Sequence, residues 1–390
     1  MIYAGIDVAK DKHEVLILDS DGVILAGPFS FNNDRQGFSD FLSILYSVCT
    51  DFSALSVGLE ATGHYSNNLV AFLLDHDISP IILNPLHTNL YRKSLSLRKT
   101  KTDRLDAHAI VTMLRTECFD ANVVADKTLD ELKSLTRYRF SLVQECTKLK
   151  NSYARLCVIL FPELEKLVSD LKQASVYALF SAYPSASAIA SCHLTRLTKL
   201  LSSHSKGHYG REKAIQIRNA ARSSIGSDSP VFSLELTQTI ALIQVLEDQI
   251  ASIEKMIIPL VDALHSPLLS VPGISYTFAS VIIAETGNFK AFHKAEQVLA
   301  FAGLEPSVYQ SGKLASSHAK MVKRGSKYLR YALFNAAKQV CIRDDTFSAY
   351  LAKKRAEGKA YNVAVSHAAK KLTRVLFHLV KTNQSFMRQS

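Results

Sequence analysis

No stretch of this 390-residue chain is apolar over the roughly 18–20 residues that a helix needs to cross a lipid bilayer. The opening residues, MIYAGIDVAKDK, reach charged side chains too early for a signal peptide. The six cysteines are scattered, with no CxxC pair and no histidines at zinc spacing. We therefore expect a cytoplasmic protein without a membrane partner, whose cysteines form neither disulfides nor a zinc site.

Glycine-rich phosphate loops are also missing. The first apolar run ends in Asp7-Val8-Ala9-Lys10, where an actin-like or sugar-kinase ATPase needs glycine so that its backbone can approach phosphate. No second glycine-rich loop follows. An actin-like ATPase is therefore kept only as an alternative.

Acidic residues are scarce in the last third of the chain. Residues 271–390 hold 19 Lys and Arg but only 6 Asp and Glu, so this part carries the positive net charge of the whole chain. Such an imbalance favours binding to a phosphate backbone or an anionic membrane, and a basic surface that only aids solubility is the alternative. The chain is 47% apolar, which indicates a globular protein, and its length predicts two or three domains.

The first 127 residues have the pattern of a mixed α/β sheet. Three strand-like runs come first, with the turn Asp21-Gly22 between the second and third, and they predict a β-meander. Helical runs then alternate with short apolar strands, of which LSVGLEATG and ISPIILNP are the clearest. This is the ribonuclease-H-like order, and we expect residues 1–127 to form one domain.

Long helices dominate residues 128–262. Apolar residues recur there at steps of three and four, which predicts two coiled-coil helices in an antiparallel hairpin that also pairs between subunits. A plain buried helix pair is the alternative. The stretch of about 165–230 between them is rich in serine, with short helices predicted near 194–201 and 210–224.

Residues 263–390 are predicted to form a basic, mainly helical domain. The turn Pro272-Gly273-Ile274 between two apolar stretches is typical of a helix-hairpin-helix, which offers backbone N–H groups to phosphate. An ordinary helical hairpin is the alternative. A polar loop and a basic helix with interleaved tyrosines follow, and they suit a nucleic-acid backbone. The candidate contacts of this domain are Gly273, Lys313, Lys320, Lys323, Arg324, Lys327 and Arg330.

Four carboxylates are candidates for a metal site. Asp7 and Glu60 lie in apolar strands, where an unpaired charge is costly and coordination of a cation keeps it ionised. Asp103 and Asp106 share one face of a helix. Four oxygen donors suit Mg²⁺, and two such ions serve phosphodiester chemistry. The basic residues around the acidic pair are candidate phosphate contacts: Arg92, Lys93, Arg98, Lys99, Lys101 and Arg104.

Six blocks of the sequence resemble the insertion-sequence transposases of the family called "IS one-ten", which includes the Piv-type DNA invertases. They are GIDVAK, GLEATGHY, NPLHTN, KTDRLDAHAI, VPGISYTFASVIIAETG and FAGLEPSVYQSGK. The resemblance extends from about residue 3 to about residue 380, and only the serine-rich middle resists alignment. It implies a RuvC-like N-terminal domain whose DEDD carboxylates are Asp7, Glu60, Asp103 and Asp106.

The resemblance also implies a chemistry and partners. The C-terminal transposase domain would supply a nucleophilic serine from the loop YQSGK, Ser311, which attacks DNA to give a covalent phosphoserine intermediate with help from Mg²⁺. Similar proteins are guided by a structured non-coding RNA, the bridge RNA, which pairs with donor and target DNA. They act as dimers or tetramers joined through the coiled coil, in the nucleoid of a prokaryotic cytoplasm.

Two further functions stay open from the residues alone. A RuvC-type nuclease without a covalent intermediate would share the four carboxylates. A non-catalytic nucleic-acid-binding protein would explain the charge, although it leaves Asp7 and Glu60 unexplained. Nothing local distinguishes Ser311 from Ser316 or Ser317 as a nucleophile.

Overall fold

The computed structural model describes residues 1–60, 64–83, 85–95, 103–116, 127–305, 310–311, 314–315 and 321–388. The chain divides into two compact units. One combines Met1–Ser134 with Val261–Ser390, and the other is Leu135–Leu260.

The N-terminal segment contains a mixed five-stranded sheet. Its strands are β1 (Ile2–Val8), β2 (Lys12–Asp19), β3 (Ile24–Asn32), β4 (Leu55–Glu60) and β5 (Ile81–Leu83). They lie in the order β3-β2-β1-β4-β5. Strands β1, β2 and β3 pair antiparallel, whereas β4 pairs parallel with both β1 and β5. The predicted meander and the mixed α/β sheet are thus confirmed.

Helices cover both faces of this sheet. They are α1 (Arg35–Val48), α2 (Asn67–Leu74), α3 (Pro85–Leu95) and α4 (Asp103–Thr116). Alternate residues of β1 and β4 pack with α1 and α2 in one buried cluster: Ala4, Ile6, Val8, Val57, Leu59, Phe38, Phe41, Leu45, Leu69 and Leu73. The residues between them in the two strands face α4, because successive side chains of a strand point to opposite sides. The carboxylates at positions 7 and 60 belong to this second face.

The unit Leu135–Leu260 is helical throughout its regular structure. It contains most of α5 (Lys127–Leu160) and α10 (Pro230–Ala263), with α6 (Ala174–Ala182), α7 (Ala186–Ser191), α8 (Leu194–His204) and α9 (Arg211–Arg222) between them. The two short helices predicted in the serine-rich stretch are α8 and α9. One apolar cluster joins these helices, with Tyr153, Phe180, Leu197, Ile217 and Ile243 among its buried members.

Helices α5 and α10 run antiparallel beside each other within this unit. Arg139 pairs with Glu254 at 2.6 Å and Arg155 pairs with Glu235 at 2.6 Å, so the numbering rises along α5 as it falls along α10. The apolar positions of the predicted repeats are buried or half-buried here. Pairing of these helices between subunits as a coiled coil stays a prediction.

The C-terminal segment is mostly helical. Its elements are α11 (Tyr276–Thr286), α12 (Ala295–Ala302), β6 (Gln310–Ser311), β7 (Leu314–Ala315), α13 (Lys327–Arg343), α14 (Asp345–Ala356) and α15 (Tyr361–Thr382). Helix α13 packs against α11, α12, α14 and α15. The element before Gly273 is a single 3₁₀ turn, Pro267–Ser270, so the predicted helix-hairpin-helix is not confirmed.

Two expectations about the whole chain can be compared with the described residues. Five of the six cysteines lie within them and all five are free thiols: Cys49, Cys146, Cys157, Cys192 and Cys341. In the same parts of the chain, no helix combines the length and the apolarity that a membrane crossing requires.

Candidate active site

The four predicted carboxylates line one cleft beside the sheet. Asp7 and Glu60 come from the ends of two strands, and Asp103 and Asp106 come from the first turn of α4. The cleft has a volume of about 390 Å³, which lies within the range of ligand-binding pockets. Ligands of α/β proteins commonly bind at the carboxyl ends of parallel strands, where this cleft opens.

Strand register brings the first two carboxylates side by side. Ile6 of β1 pairs with Leu59 of β4 in parallel, so that Asp7 and Glu60 are the next residues on neighbouring strands. Both are half-buried. Asp7 is the second-to-last residue of β1, so it lies near the end of the strand, beside the cleft.

Two glycines allow α4 to lie close against the strands. A Cβ on Gly5 would lie 2.5 Å from the Val111 nitrogen and 2.8 Å from the Ala107 oxygen, both in the backbone of α4. A Cβ on Gly58 would lie 2.4 Å from a methyl group of Leu114. Because each glycine stands two residues before a carboxylate, the same close packing that positions α4 also brings its acidic first turn toward Asp7 and Glu60.

Side chains of α3 contact two of the carboxylates. The Thr88 hydroxyl donates a hydrogen bond to Glu60 Oε2 at 2.7 Å, and Arg92 Nη1 donates to Asp106 Oδ1 at 2.5 Å. Asp106 is only 8% exposed, which makes its ion pair with Arg92 important because a buried carboxylate needs a partner. Asp103, three residues earlier, is exposed.

The donor set of the cleft suits a hard divalent cation. Carboxylates, together with the hydroxyl of Thr88 and the amide oxygen of Asn89, are the oxygen ligands that Mg²⁺ prefers. Within the described ranges, however, no three His, Cys, Asp or Glu side chains are grouped closely enough to hold a metal ion. Metal binding by these four carboxylates stays a prediction.

The basic residues predicted around the acidic pair are partly described. Arg104, in the first turn of α4, is exposed, as is Lys93 on α3. The predicted contacts Arg98, Lys99 and Lys101 lie outside the described residues.

The predicted serine loop lies in the C-terminal segment. Ser311 ends the two-residue strand β6, which pairs antiparallel with β7, so that Ser311 is opposite Leu314. The side chain of Ser311, together with Lys313, Ser316, Ser317 and Lys320, lies outside the described part of the structure. Its assignment as a nucleophile stays a prediction.

A basic turn follows this loop and includes the first residue of α13. Lys323, Arg324 and Lys327 are exposed there. The turn is attached to the end of α12, because the Ser326 nitrogen donates to Phe301 O at 2.8 Å. Three of the predicted phosphate contacts thus lie together on a surface, which we call the basic turn (residues 322–327).

Two other residues that the sequence predicts to contact phosphate, Arg330 and Gly273, lie against the backbone of neighbouring elements. Arg330 Nη1 donates to the backbone oxygens of Ala302 and Lys323, at 2.9 and 3.2 Å, and so ties the basic turn to α12. Gly273 has φ +96°, and a Cβ there would lie 2.7 Å from the backbone carbon of Gln339 in α13. The glycine is required for close packing at this point, whether or not its backbone also contacts phosphate.

Comparison with known proteins gives matches over most of the chain. A family model described as a transposase, the DEDD type of IS110, matches residues 4–162, and the model of the transposase IS116/IS110/IS902 family matches residues 265–352. The first range contains all four carboxylates, and the second contains Ser311 and the basic turn.

The relatives that align with nearly the whole chain include proteins of insertion elements and a gene-inverting protein. The chain is 22% identical over 391 residues to a protein of insertion element IS116 from Streptomyces clavuligerus, covering 99% of this chain and 96% of that protein. It is 23% identical over 385 residues to the pilin gene-inverting protein of Moraxella bovis, with coverage of 98% and 97%. It is also 24% identical over 389 residues to a protein of insertion element IS900 from Mycobacterium paratuberculosis, with coverage of 97% and 96%.

Proposed function

This chain belongs to the IS116/IS110/IS902 family of transposases, and we propose that it cuts and rejoins DNA through its carboxylate cleft and a serine nucleophile. The observation that carries the proposal is the meeting of Asp7, Glu60, Asp103 and Asp106 in one cleft. The five-stranded sheet beside the cleft has a meander followed by parallel strands, which is the strand order expected of a ribonuclease-H-like, RuvC-like domain.

The carboxylates are proposed to hold Mg²⁺, as a two-ion site. When bound, such ions activate an attacking oxygen and stabilise a leaving oxygen in phosphodiester chemistry. Asp7 and Glu60 offer oxygen donors from rigid strands, and Asp103 and Asp106 offer them from the first turn of a helix. The phosphate backbone beside them is proposed to be held by Arg98, Lys99, Lys101 and Arg104.

Ser311 is proposed as the nucleophile. Its Oγ would form a bond to phosphorus while the bond from phosphorus to a deoxyribose oxygen breaks. The serine proton leaves to solvent, and the departing sugar oxygen takes up a proton. A serine hydroxyl is a weak nucleophile at neutral pH, so the phosphate must be activated and its charge neutralised, for which Lys313 and Lys320 are candidates. The resulting phosphoserine conserves the energy of the broken bond for rejoining.

The partners follow from the same proposal. The basic turn and the C-terminal segment would bind donor and target DNA, and a structured guide RNA would select the sites. The catalytic domain would be residues 1–127. The coiled-coil region would be residues 128–262, and the transposase domain would be residues 263–390. A dimer or tetramer through the coiled coil would bring the cleft of one subunit to the serine of another, in a prokaryotic nucleoid.

A trapped covalent adduct tests this chemistry. A DNA substrate nicked beside the scissile bond should give a protein–DNA adduct that survives denaturation, requires Mg²⁺, and disappears in Ser311→Ala. Ser316→Ala and Ser317→Ala are the matched controls and should still form it. An adduct in Ser311→Ala would refute the nucleophile, and cleavage without any adduct would favour a RuvC-type nuclease.

The guide RNA is tested separately. RNA that co-purifies with the protein from its native host should be dominated by one structured species encoded beside the gene. A mixture of unrelated cellular RNAs would contradict the guide.

A further inference from the structure

Helix α3 brings two polar side chains to the carboxylate cleft from one of its faces. Thr88 and Arg92 are four residues apart, a spacing that places them one turn apart on the same side of a helix. Thr88 bonds Glu60 of β4, and Arg92 bonds Asp106 of α4. The helix that contains most of the NPLHTN block therefore contacts one carboxylate from the sheet and one from α4.

Both side chains are restrained where they contact the cleft. Thr88 is 5% exposed, so the packing around it limits the rotation of its side chain. The guanidinium of Arg92 makes a second bond through Nη2 to Asn89 Oδ1 at 3.0 Å. The contacts of Thr88 with Glu60 and of Arg92 with Asp106 are therefore made by restrained side chains and not by freely rotating surface side chains.

We propose that α3 is an outer shell of the metal site, in which Thr88 and Arg92 are positioning residues that change cation affinity in opposite directions. The inference rests on the proposed function, because it concerns the cation that the carboxylates would hold. A carboxylate has two oxygens with about four acceptor positions, so a hydrogen bond to one oxygen is compatible with coordination by the same group.

Thr88 favours the cation. A neutral hydroxyl leaves the negative charge of Glu60 intact while it fixes the orientation of the carboxylate. Removal of such an outer-shell partner typically weakens metal binding by about 10-fold to 100-fold.

Arg92 opposes the cation. Its guanidinium places a positive charge 2.5 Å from Asp106 Oδ1, where it attracts the same carboxylate that a cation needs and repels the cation itself. Without metal, the same charge offsets the mutual repulsion of four acidic groups in one cleft. Arg92 therefore stabilises the metal-free cleft and lowers its affinity for the cation.

Calorimetric titration of the full-length protein with Mn²⁺, together with the melting temperature in chelator, tests this pair of effects. Thr88→Val should weaken binding by about 10-fold to 100-fold, whereas Thr88→Ser should bind like the wild type because it retains the hydroxyl. Arg92→Gln should bind about tenfold more tightly and melt at a lower temperature without metal, whereas Arg92→Lys should restore both properties toward the wild type.

Two substitutions serve as matched controls. Thr112→Val removes a hydroxyl that bonds His108 O within α4, and Lys93→Gln removes an exposed charge of α3 that does not line the cleft. Neither should change the affinity.

The opposite signs distinguish positioning from a general structural role. A shared loss of affinity in Thr88→Val and Arg92→Gln, or wild-type affinity in both, would overturn the inference and leave the metal site itself intact. A wild-type protein that binds no Mn²⁺ would refute the proposed metal site, and this inference with it.

Discussion

Gly5 on β1 is paired in parallel register with Gly58 on β4. Two residues beyond each glycine, the strand carries a carboxylate, so the sequence Gly-x-acid occurs twice in adjacent, aligned strands. The glycines allow α4 to lie against the sheet, and the carboxylates line the cleft at its edge. The packing of α4 on the sheet and the assembly of the carboxylate cleft therefore depend on the same two strand segments, 5–7 and 58–60.

Substitution of Gly5 should separate α4 from the sheet. In Gly5→Ala the new Cβ would lie 2.5 Å from a backbone nitrogen of α4, which cannot move without the helix, so we expect a loss of about 1–3 kcal/mol in the free energy of unfolding. Gly58→Ala should cost less, because its nearest neighbour is the end of the Leu114 side chain. Denaturant titration measures both losses.

The control for these variants is Gly210→Ala, since nothing lies within 4 Å of a Cβ there. It should cost at most about 1 kcal/mol, because only the start of α9 is affected. Equal losses in Gly5→Ala and Gly210→Ala would contradict the close packing of α4.

Residues of the basic turn and Arg330 should have separable effects. Replacing Lys323, Arg324 and Lys327 by Ala should leave the melting temperature nearly unchanged and weaken DNA binding at all sequences. The log–log salt slope should fall by roughly 0.9 for each lost phosphate contact. Arg330→Ala should instead lower the melting temperature, because two backbone oxygens lose their donor. An unchanged salt slope in the triple variant would place DNA elsewhere.

His13 should make the protein sensitive to acid. Its ring is fully buried beside Phe31 and Phe38, and burial is the main reason that its pKa lies below the ordinary value. The unfolded chain takes up a proton near pH 6.5 while folded His13 stays neutral, so stability falls as the pH drops from about 6.5 toward the lowered pKa.

Unfolding measured between about pH 7 and pH 5 tests this effect. His13→Leu should reduce the loss of unfolding free energy on acidification, whereas the exposed His204, as His204→Gln, should leave it as in the wild type. The same acid dependence in His13→Leu as in the wild type would exclude His13 as its source.

The sequence predicts the strands of the sheet correctly where the apolar pattern of the side chains follows the period of the backbone. Alternation predicted the meander, and apolar runs ending in Asp7 and Glu60 predicted two strands whose ends carry the site. The two glycines are visible in the sequence as GID and GLE, but their role depends on contacts with α4, which comes later in the chain (Asp103–Thr116), and sequence spacing does not reveal such a contact.

The contacts of α3 could not be predicted for a related reason. Arg92 is among the candidate phosphate contacts predicted from the sequence, because charge alone does not distinguish an arginine that binds DNA from one that pairs with a buried aspartate. Charge alone likewise does not reveal that the guanidinium of Arg330 donates to two backbone oxygens. In both cases the partner comes from another element, and only the fold brings it within reach.

Strand cleavage by Asp103→Asn tests most directly whether the carboxylate cleft is the catalytic site. Asp103 is exposed, so the variant should keep the melting temperature and the DNA affinity of the wild type. Mg²⁺-dependent cleavage in a single turnover should nevertheless fall by more than about 100-fold, beyond the effect of an outer-shell group. Asp40→Asn, an exposed aspartate of α1 outside the cleft, should cleave normally. Cleavage by Asp103→Asn at the wild-type rate would contradict the account.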